Sequence, residues 1–200
     1  MIPTNWNYTL TNATSLDSLV SEFVFNTMTA NKYEGDQRIG QMIEAASAAV
    51  RNYCGWHLYP SLDCEYQGDS EDTARIIQLP ARYVTAVSSV NVDGVELGAS
   101  DYAWKTNGLI RLGQRVCSSG WNDIVVDYTA GLPDDLMSAI NELIVHRVTH
   151  ALAQSYGVQS EAAGGVSITY SPNWINGARA TALPDDNKEV LEPYRLRGVF

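Results

Sequence analysis

A change in hydrophobic period constrains the fold of this chain more than any other sequence feature. Over residues 39–53 and 136–151, apolar side chains recur at steps of three and four. Between residues 59 and 130, short β-branched runs alternate with turn signals instead. A period near 3.6 is typical of a helix with one buried face, whereas short β-branched runs between turns are typical of strands. The pattern therefore predicts two helices that flank an inserted β-region.

Both helices carry start and stop signals. Asp36 is a typical N-cap for a first helix over 36–54, and Gly55 is a typical stop. A second helix is predicted over 133–156, because Pro133 suits the first helical position and the acids that follow it favour the positive end of the helix dipole. The predicted buried stripes are Ile39, Ile43, Ala46, Val50 and Tyr53 in the first helix, and Leu136, Ile140, Ile144, Val148 and Ala151 in the second. Alanine at 45, 46, 48 and 49 makes the first helix thin, which permits close packing.

The intervening region contains two strong hairpin signals. Asp93-Gly94 and Asn107-Gly108 each stand between β-branched or aliphatic runs, and such pairs accept the positive φ angles of tight turns. About six short strands are predicted between residues 59 and 130. That number is sufficient for a small antiparallel domain.

The rest of the chain predicts smaller elements. A short helix within 15–29 would begin at Ser15 or Asp17, Val166 to Tyr170 alternate as a strand or β-arm does, and a last helix from Pro184 would be interrupted at Pro193. The predicted fold class is α+β: a small helical bundle with an inserted antiparallel β-domain, a β-arm and an extended C-terminal tail. The expected divisions are 1–58 (N-terminal segment and first core helix), 59–130 (the β-domain) and 131–200 (long helix, arm and tail), with the helical parts forming one domain.

Composition excludes several classes of protein. A formal net charge of -10 argues against binding nucleic acid, which requires clustered Lys and Arg. Three irregularly spaced cysteines do not form a disulfide framework and indicate reduced thiols. The N-terminus has no charged and apolar signal regions, and no apolar run approaches ~20 residues, so a soluble protein without a membrane partner is expected.

One arrangement on the second helix could hold a metal. Glu142, His146 and His150 follow one another at steps of four, which places them on one helix face, opposite the apolar stripe. The more common explanation is a polar face turned to solvent or to another subunit, since a closed zinc site needs four ligands. Cys54-Gly55-Trp56-His57 likewise suggests a buried cysteine beside a packed Trp rather than a reactive thiol. No phosphate-binding loop or nucleophile elbow is present, so no catalytic, cofactor or metal site is predicted.

The order of four segments resembles the head–tail connector (adaptor) family of tailed phages, in its longer members with a β-domain insertion. The segments are the alanine-rich helix with its Tyr-Cys-Gly-Trp end (43–56), the run Leu-Pro-Ala-Arg-Tyr-Val through Asn-Val-Asp-Gly (79–94), the entry Val-Asp-Tyr-Thr-Ala-Gly-Leu-Pro-Asp-Asp-Leu into the long helix (126–136), and the arm (160–171). Together they span most of the chain. The first 35 residues do not match that pattern.

The resemblance implies a structural, non-enzymatic virion protein without cofactors. Its copies would form a ring, expected to be a dodecamer, beneath the portal protein, and the ring would join a stopper, tail-completion or tail-terminator protein. Genome DNA would pass through the channel without sequence-specific binding. The protein would be made in the host cytoplasm and would reside in the head–tail neck of the virion. Adaptors send a C-terminal segment onto the portal, which implies a docking role for Tyr194, Arg195, Leu196, Arg197 and Phe200.

A role between subunits is expected for the arm, with Val166, Ile168 and Tyr170 as its contact residues, because an exposed strand can add to a neighbour's sheet edge. Three alternatives remain open on the sequence. One is another neck or tail-completion protein, although such proteins tend to be mostly β. The others are a metal-dependent hydrolase using Glu142, His146 and His150, and a DNA-binding module, which the net charge disfavours.

Overall fold

A computed structural model of the chain describes residues 6–70, 75–113, 120–153, 160–163, 166–169, 183 and 185–196. The chain forms two compact units. The sheet unit comprises Met1–Leu16, Cys54–Met137 and Pro193–Phe200, and the helical unit comprises Asp17–Tyr53 and Ser138–Glu192. The predicted α+β class is confirmed, since antiparallel strands and helices both form. The predicted boundaries at 58 and 130 stay a prediction.

The larger sheet of the sheet unit has five antiparallel strands in the order β1-β2-β8-β4-β5. Their bounds are Tyr8–Leu10 (β1), Leu62–Ser70 (β2), Val84–Val92 (β4), Val95–Glu96 (β5) and Gly120–Ala130 (β8). Alternate residues of β8, namely Ile124, Val126 and Tyr128, are buried. The intervening residues are more exposed, so the sheet has one core face and one outer face.

A second sheet has the order β3-β7-β6, with β3 at Ile76–Gln78, β6 at Tyr102–Trp104 and β7 at Leu109–Leu112. Both predicted hairpins are confirmed: Asp93-Gly94 joins β4 to β5, and Asn107-Gly108 lies between β6 and β7. Asp93 and Gly94 have φ angles of 55° and 72°, the positive pair that a two-residue turn needs. Seven described strands, β2 to β8, lie between residues 59 and 130, where about six were predicted.

Strand β1 was absent from the sequence prediction. Tyr8 lies opposite Tyr66 and Leu10 opposite Cys64, so the N-terminal segment extends the five-stranded sheet beyond β2. The ring of Trp6 stacks on that of Tyr8, with centroids 5.4 Å apart and planes within 2°. Both rings are buried. Burial of two aromatic side chains explains why this short, polar segment is held in the sheet.

The helical unit contains α1 (Glu22–Met28), α3 (Ser138–Ala153), α4 (Asp185–Leu191) and most of α2 (Ile39–Cys54). Helix α1 starts later than predicted, because the hydroxyl of Ser21, not Ser15 or Asp17, accepts a hydrogen bond from the Val24 N–H at 3.2 Å. Asp36 caps the turn before α2 by accepting the Arg38 N–H at 2.9 Å. The predicted stripe of α2 is confirmed, with Tyr53 at its half-buried end.

Helix α3 follows a tight 3-10 turn at Asp134–Met137. Leu136, predicted in the buried stripe, is 37% exposed, whereas Met137 is buried. A 3-10 turn rotates the chain by about 120° per residue instead of about 100°, so the apolar phase shifts by roughly one residue. The described helix ends at Ala153, and the predicted end at 156 lies outside the described residues.

The last elements lie near the predicted ones. Strands β9 (Ser160–Ala163) and β10 (Val166–Thr169) form an antiparallel hairpin. Helix α4 ends at Leu191, two residues before Pro193, and a 3-10 turn covers Glu192–Tyr194. In the part of the chain that the structure describes, no helix has the length and apolar character needed to cross a bilayer.

Candidate functional site

The predicted docking residues begin in a segment that the fold holds in place. Tyr194 and Leu196 are half-buried, and Arg195 between them is exposed. Arg197 and Phe200 lie outside the described residues. The C-terminal segment is therefore part of the sheet unit at least to residue 196, rather than a terminus that frays after Pro193.

Two hydrogen bonds attach this segment to the end of α2. The indole Nε1–H of Trp56 donates to the carbonyl oxygen of Tyr194 at 2.8 Å, and the N–H of Leu196 donates to the carbonyl oxygen of Cys54 at 2.9 Å. The last carbonyls of a helix lack partners within the helix, so the second bond satisfies an acceptor that α2 leaves open. We call the contact of Cys54, Gly55 and Trp56 with Tyr194 and Leu196 the C-terminal anchor.

Gly55 makes the close approach possible. Its φ angle is +81°, the left-handed conformation that commonly ends a helix, and it confirms the predicted stop. A Cβ built on Gly55 would lie 3.6 Å from Leu196 Cβ, so the Leu196 side chain packs directly over this position. Trp56 beside it has no solvent-exposed area. The anchor thus combines hydrogen bonds with apolar contact.

Two of the three predicted arm residues lie in a strand that the structure describes. Strand β10 covers Val166 and Ile168, and its register places Val166 opposite Ala163 and Ile168 opposite Glu161. Tyr170, the third predicted arm residue, lies outside the described residues. The pairing confirms a strand at this position, while contact with a second subunit stays a prediction.

The candidate metal ligands share one face of α3, as predicted. Glu142 and His146 are exposed and His150 is half-buried, whereas Ile140, Ile144 and Val148 are buried on the opposite face. The imidazole rings of His146 and His150 lie 6.4 Å apart between centroids. Among the described residues, no group of three His, Cys, Asp or Glu side chains converges as a metal site requires. The geometry gives the hydrolase hypothesis no support.

The structure explains the Cys-Gly-Trp-His sequence as packing. Cys54 and Cys64 are both buried, and burial raises the pKa of the Cys64 thiol to about 12. A thiol with such a pKa is neutral and unreactive at physiological pH. Cys117 lies outside the described residues.

His57 has a structural role that sequence patterns do not reveal. It is fully buried; its Nε2–H donates to the Ala130 carbonyl oxygen at 2.8 Å, and its Nδ1 accepts from the Tyr8 hydroxyl at 2.9 Å. The Tyr8 oxygen in turn accepts the His57 N–H at 3.0 Å. A neutral imidazole protonated at Nε2 satisfies both ring bonds, and the third bond comes from the backbone. The sequence places His57 two residues after the helix stop at Gly55, but its partners lie 49 and 73 positions away.

The outer face of the five-stranded sheet is acidic. The five strands contain Asp63, Glu65, Asp69, Glu96, Asp123 and Asp127 but neither Lys nor Arg. Glu65 lies directly opposite Asp127. Hydroxyl groups hold two of the carboxylates, Ser89 donating to Asp127 at 2.7 Å and Thr129 to Asp63 at 2.8 Å. Such a face repels phosphate instead of binding it.

Comparison with solved structures supports the fold. A chain from a structure titled "Neck of empty GTA particle computed with C6 symmetry" aligns with a TM-score of 0.52 and 18% identity, covering 96% of this chain and 97% of that chain. A chain from the virion of a native gene transfer agent (GTA) particle aligns with a TM-score of 0.55 and 15% identity, over 96% and 97% of the two chains. No curated protein sequence gave a significant match.

A match to a protein-family model covers more of the sequence than the four segments that suggested the resemblance. The model of the head completion protein family matches residues 19–196, which include both long helices, the inserted strands and the C-terminal anchor. The resemblance to phage connector proteins is thereby confirmed: the chain belongs to the head completion protein family.

Proposed function

We propose that this protein is an adaptor subunit of a phage neck. Copies of it form a ring beneath the portal protein, connect the head to the tail and continue the DNA channel. Membership of the head completion protein family supports a structural role in the virion neck. The fold shared with chains of a particle neck and of a virion supports the same location.

The observation that carries the proposal is the C-terminal anchor. A segment that docks onto another protein loses less entropy when its base is already fixed. Trp56 and Cys54 fix that base at Tyr194 and Leu196, while Arg195 stays exposed between them. The sequence continues with Arg197 and ends in Phe200, and Arg and aromatic residues dominate interface hot spots. The proposed partner of residues 194–200 is the portal.

The ring itself requires contacts between copies. The neck whose chain shares this fold was computed with C6 symmetry, which is compatible with rings of six or twelve copies in that particle. We infer a dodecamer here, with the arm residues Val166, Ile168 and Tyr170 reaching a neighbouring copy. A stopper, tail-completion or tail-terminator protein would bind the ring on its tail side.

Passage of DNA without binding agrees with the charge of the chain. The net charge is -10, and the five-stranded sheet has an acidic outer face. Family membership supports a non-enzymatic role. The protein would be synthesised in the host cytoplasm and would act by geometry, holding two larger assemblies in register.

Mass measurement by light scattering tests the proposal, first on the purified protein alone and then with its portal. We expect either a discrete ring or monomers that the portal recruits in fixed stoichiometry. Deletion of residues 197–200 and the substitution Arg195→Glu should both weaken portal binding. Arg82→Glu is the matched control, since Arg82 is also an exposed Arg of the sheet unit. A monomer that ignores the portal would refute the adaptor function, and unchanged binding in both tail variants would refute the docking role.

A further inference from the structure

We propose that strand β10 of one copy adds to the open edge of strand β6 in the next copy, and that this pairing closes the ring. The inference rests on the proposed function, because it names the two surfaces through which neighbouring subunits would meet. Closed rings require a heterologous interface, in which one patch of each copy contacts a different patch of the next. The hairpin and β6 provide such a pair, since they belong to separate parts of the chain.

The donor is the hairpin of β9 and β10. Among the described strands, each pairs only with the other, so β10 has one edge occupied and one edge open. A two-stranded hairpin is marginally stable in water, and a third strand supplies the ladder that it lacks. The sequence of β10, Val-Ser-Ile-Thr, alternates apolar and polar residues of high β-propensity. These properties suit a segment that completes its pairing on another chain.

The acceptor is the outer edge of β6, which ends the three-stranded sheet. The N–H of Lys105 donates to the Leu109 carbonyl oxygen and the N–H of Gly113 to the Asp101 carbonyl oxygen. Backbone groups alternate in direction along a strand, so positions 101, 103 and 105 point toward β7. The backbone N–H and carbonyl groups of Tyr102 and Trp104 therefore point away from β7, along the open edge. No other described strand pairs there.

Side chains at this edge suit strand addition. Trp104 is 38% exposed, so its ring leaves apolar surface on the edge strand that an added strand can cover. A groove of about 230 Å³ adjoins the β6–β7 pair and is lined by Tyr102 and Ala103 of β6 and by Arg111 and Leu112 of β7. In strand addition the backbone ladder supplies affinity and grooves beside it receive side chains of the incoming strand. The β6 edge is favoured over the β3 edge because residues of β6 line the groove and residues of β3 do not.

A cross-linking experiment on the full chain tests the contact. Ala103→Cys and Ser167→Cys are combined in a Cys117→Ser background, where the native Cys54 and Cys64 are buried. A short bis-maleimide is added to the oligomer formed alone or with portal. We expect a ladder of covalent species on a denaturing gel for the double variant, and monomers or at most dimers for either single variant. A ring, confirmed by light scattering, that gives no ladder would overturn the inference.

A backbone substitution gives a second, independent readout. Trp104→Pro removes an N–H from the open edge but not from the β6–β7 ladder, because Pro has no amide hydrogen. Trp104→Val keeps the N–H and loses the same aromatic ring. We expect about a tenfold lower ring fraction for the Pro variant than for the Val variant, as the loss of one ladder hydrogen bond predicts. Equal assembly of two folded variants would overturn the proposed pairing.

The outcomes separate the inference from the function on which it rests. If the wild-type chain forms no oligomer alone and none with the portal, the adaptor function fails and the pairing fails with it. If the wild type forms a ring that the Pro variant also forms and that yields no ladder, only the β10–β6 pairing fails. If Trp104→Pro does not fold, the cysteine pair alone decides.

Discussion

The indole nitrogen of Trp56 and the carbonyl oxygen of Tyr194 are joined by a 2.8 Å hydrogen bond across 138 positions of sequence. Trp56 follows the alanine-rich helix, and Tyr194 lies six residues before Phe200. The bond therefore fixes the backbone at Tyr194 within the sheet unit. In a docking protein, the position of that fixed point sets what the residues after it can reach.

Removing the indole N–H should loosen the C-terminal anchor while leaving most of the core packing. Trp56→Phe retains an aromatic ring but leaves a half-buried carbonyl acceptor unpaired, and it vacates part of a fully buried site. We expect a loss of about 2–4 kcal/mol in the free energy of unfolding, from the missing hydrogen bond and the cavity together. Urea denaturation measures this loss.

Measuring portal affinity distinguishes a loss of anchoring at the C-terminal segment from a general loss of stability. Under conditions in which the variant is fully folded, Trp56→Phe should still bind portal more weakly than wild type, because residues 194–200 must be ordered during docking. Val90→Ala, a buried change in β4, serves as the control of reduced stability. Equal portal affinity of wild type and Trp56→Phe would show that the anchor does not preorganise docking.

Gly55 provides a quantitative test of why the helix stops where it does. A Cβ there would contact Leu196 at 3.6 Å, an ordinary van der Waals distance, so Gly55→Ala should be sterically tolerated. Its cost should be backbone strain alone, about 1–2 kcal/mol for a left-handed residue with a side chain. Gly35, with a φ of +85° and open space around its Cβ position, is the matched control. Equal losses for Gly55→Ala and Gly35→Ala in thermal unfolding are expected. A much larger loss at Gly55 would contradict the observed clearance.

Because the pKa of the Cys64 thiol is raised, we expect the free energy of unfolding to fall at alkaline pH. Burial raises its pKa from 9.0 to about 12, so the folded state holds a proton that the unfolded state releases sooner. The stabilising contribution is complete below pH 9 and is lost as the pH rises toward 12. The stability difference between wild type and Cys64→Ala should therefore shrink across this window.

The reactivity of Cys64 with a thiol reagent tests its burial and raised pKa independently. Native Cys64 should resist a thiol reagent at pH 8 and react only after denaturation, since the thiolate is the reactive species. A Cys117→Ser background removes the third cysteine from the measurement. Rapid labelling of Cys64 in the folded protein would contradict the observed burial.

The sequence correctly predicted those elements that interactions between neighbouring residues determine. The stripe from Ile39 to Val50 and the turn at Asp93-Gly94 arise from neighbouring residues, and both are found as predicted. Strand β1 was missed because its pairing with β2 joins residues more than fifty positions apart. Leu136 was misassigned because the tight turn before α3 shifts the helical phase.

At the candidate site, the sequence likewise revealed the residue types but not their long-range contacts. Aromatic and Arg residues at the C-terminus were visible in the sequence as interface types. Their anchoring was not, because a hydrogen bond from Trp56 to a backbone carbonyl at 194 depends on tertiary structure and has no sequence motif. The His57 network was missed for the same reason, since its partners come from β1 and β8.

Glu65 and Asp127 provide the last prediction, because like charges directly opposite in an antiparallel pair repel one another. Glu65→Lys converts this repulsion into attraction and should raise the free energy of unfolding by about 0.5–1 kcal/mol at low salt. Glu65→Gln, which removes only the repulsion, should give a smaller gain. Added salt should reduce both gains by screening the charges. Urea denaturation at two ionic strengths measures them, and a Glu65→Lys variant less stable than Glu65→Gln would show that the two carboxylates do not interact across the strands.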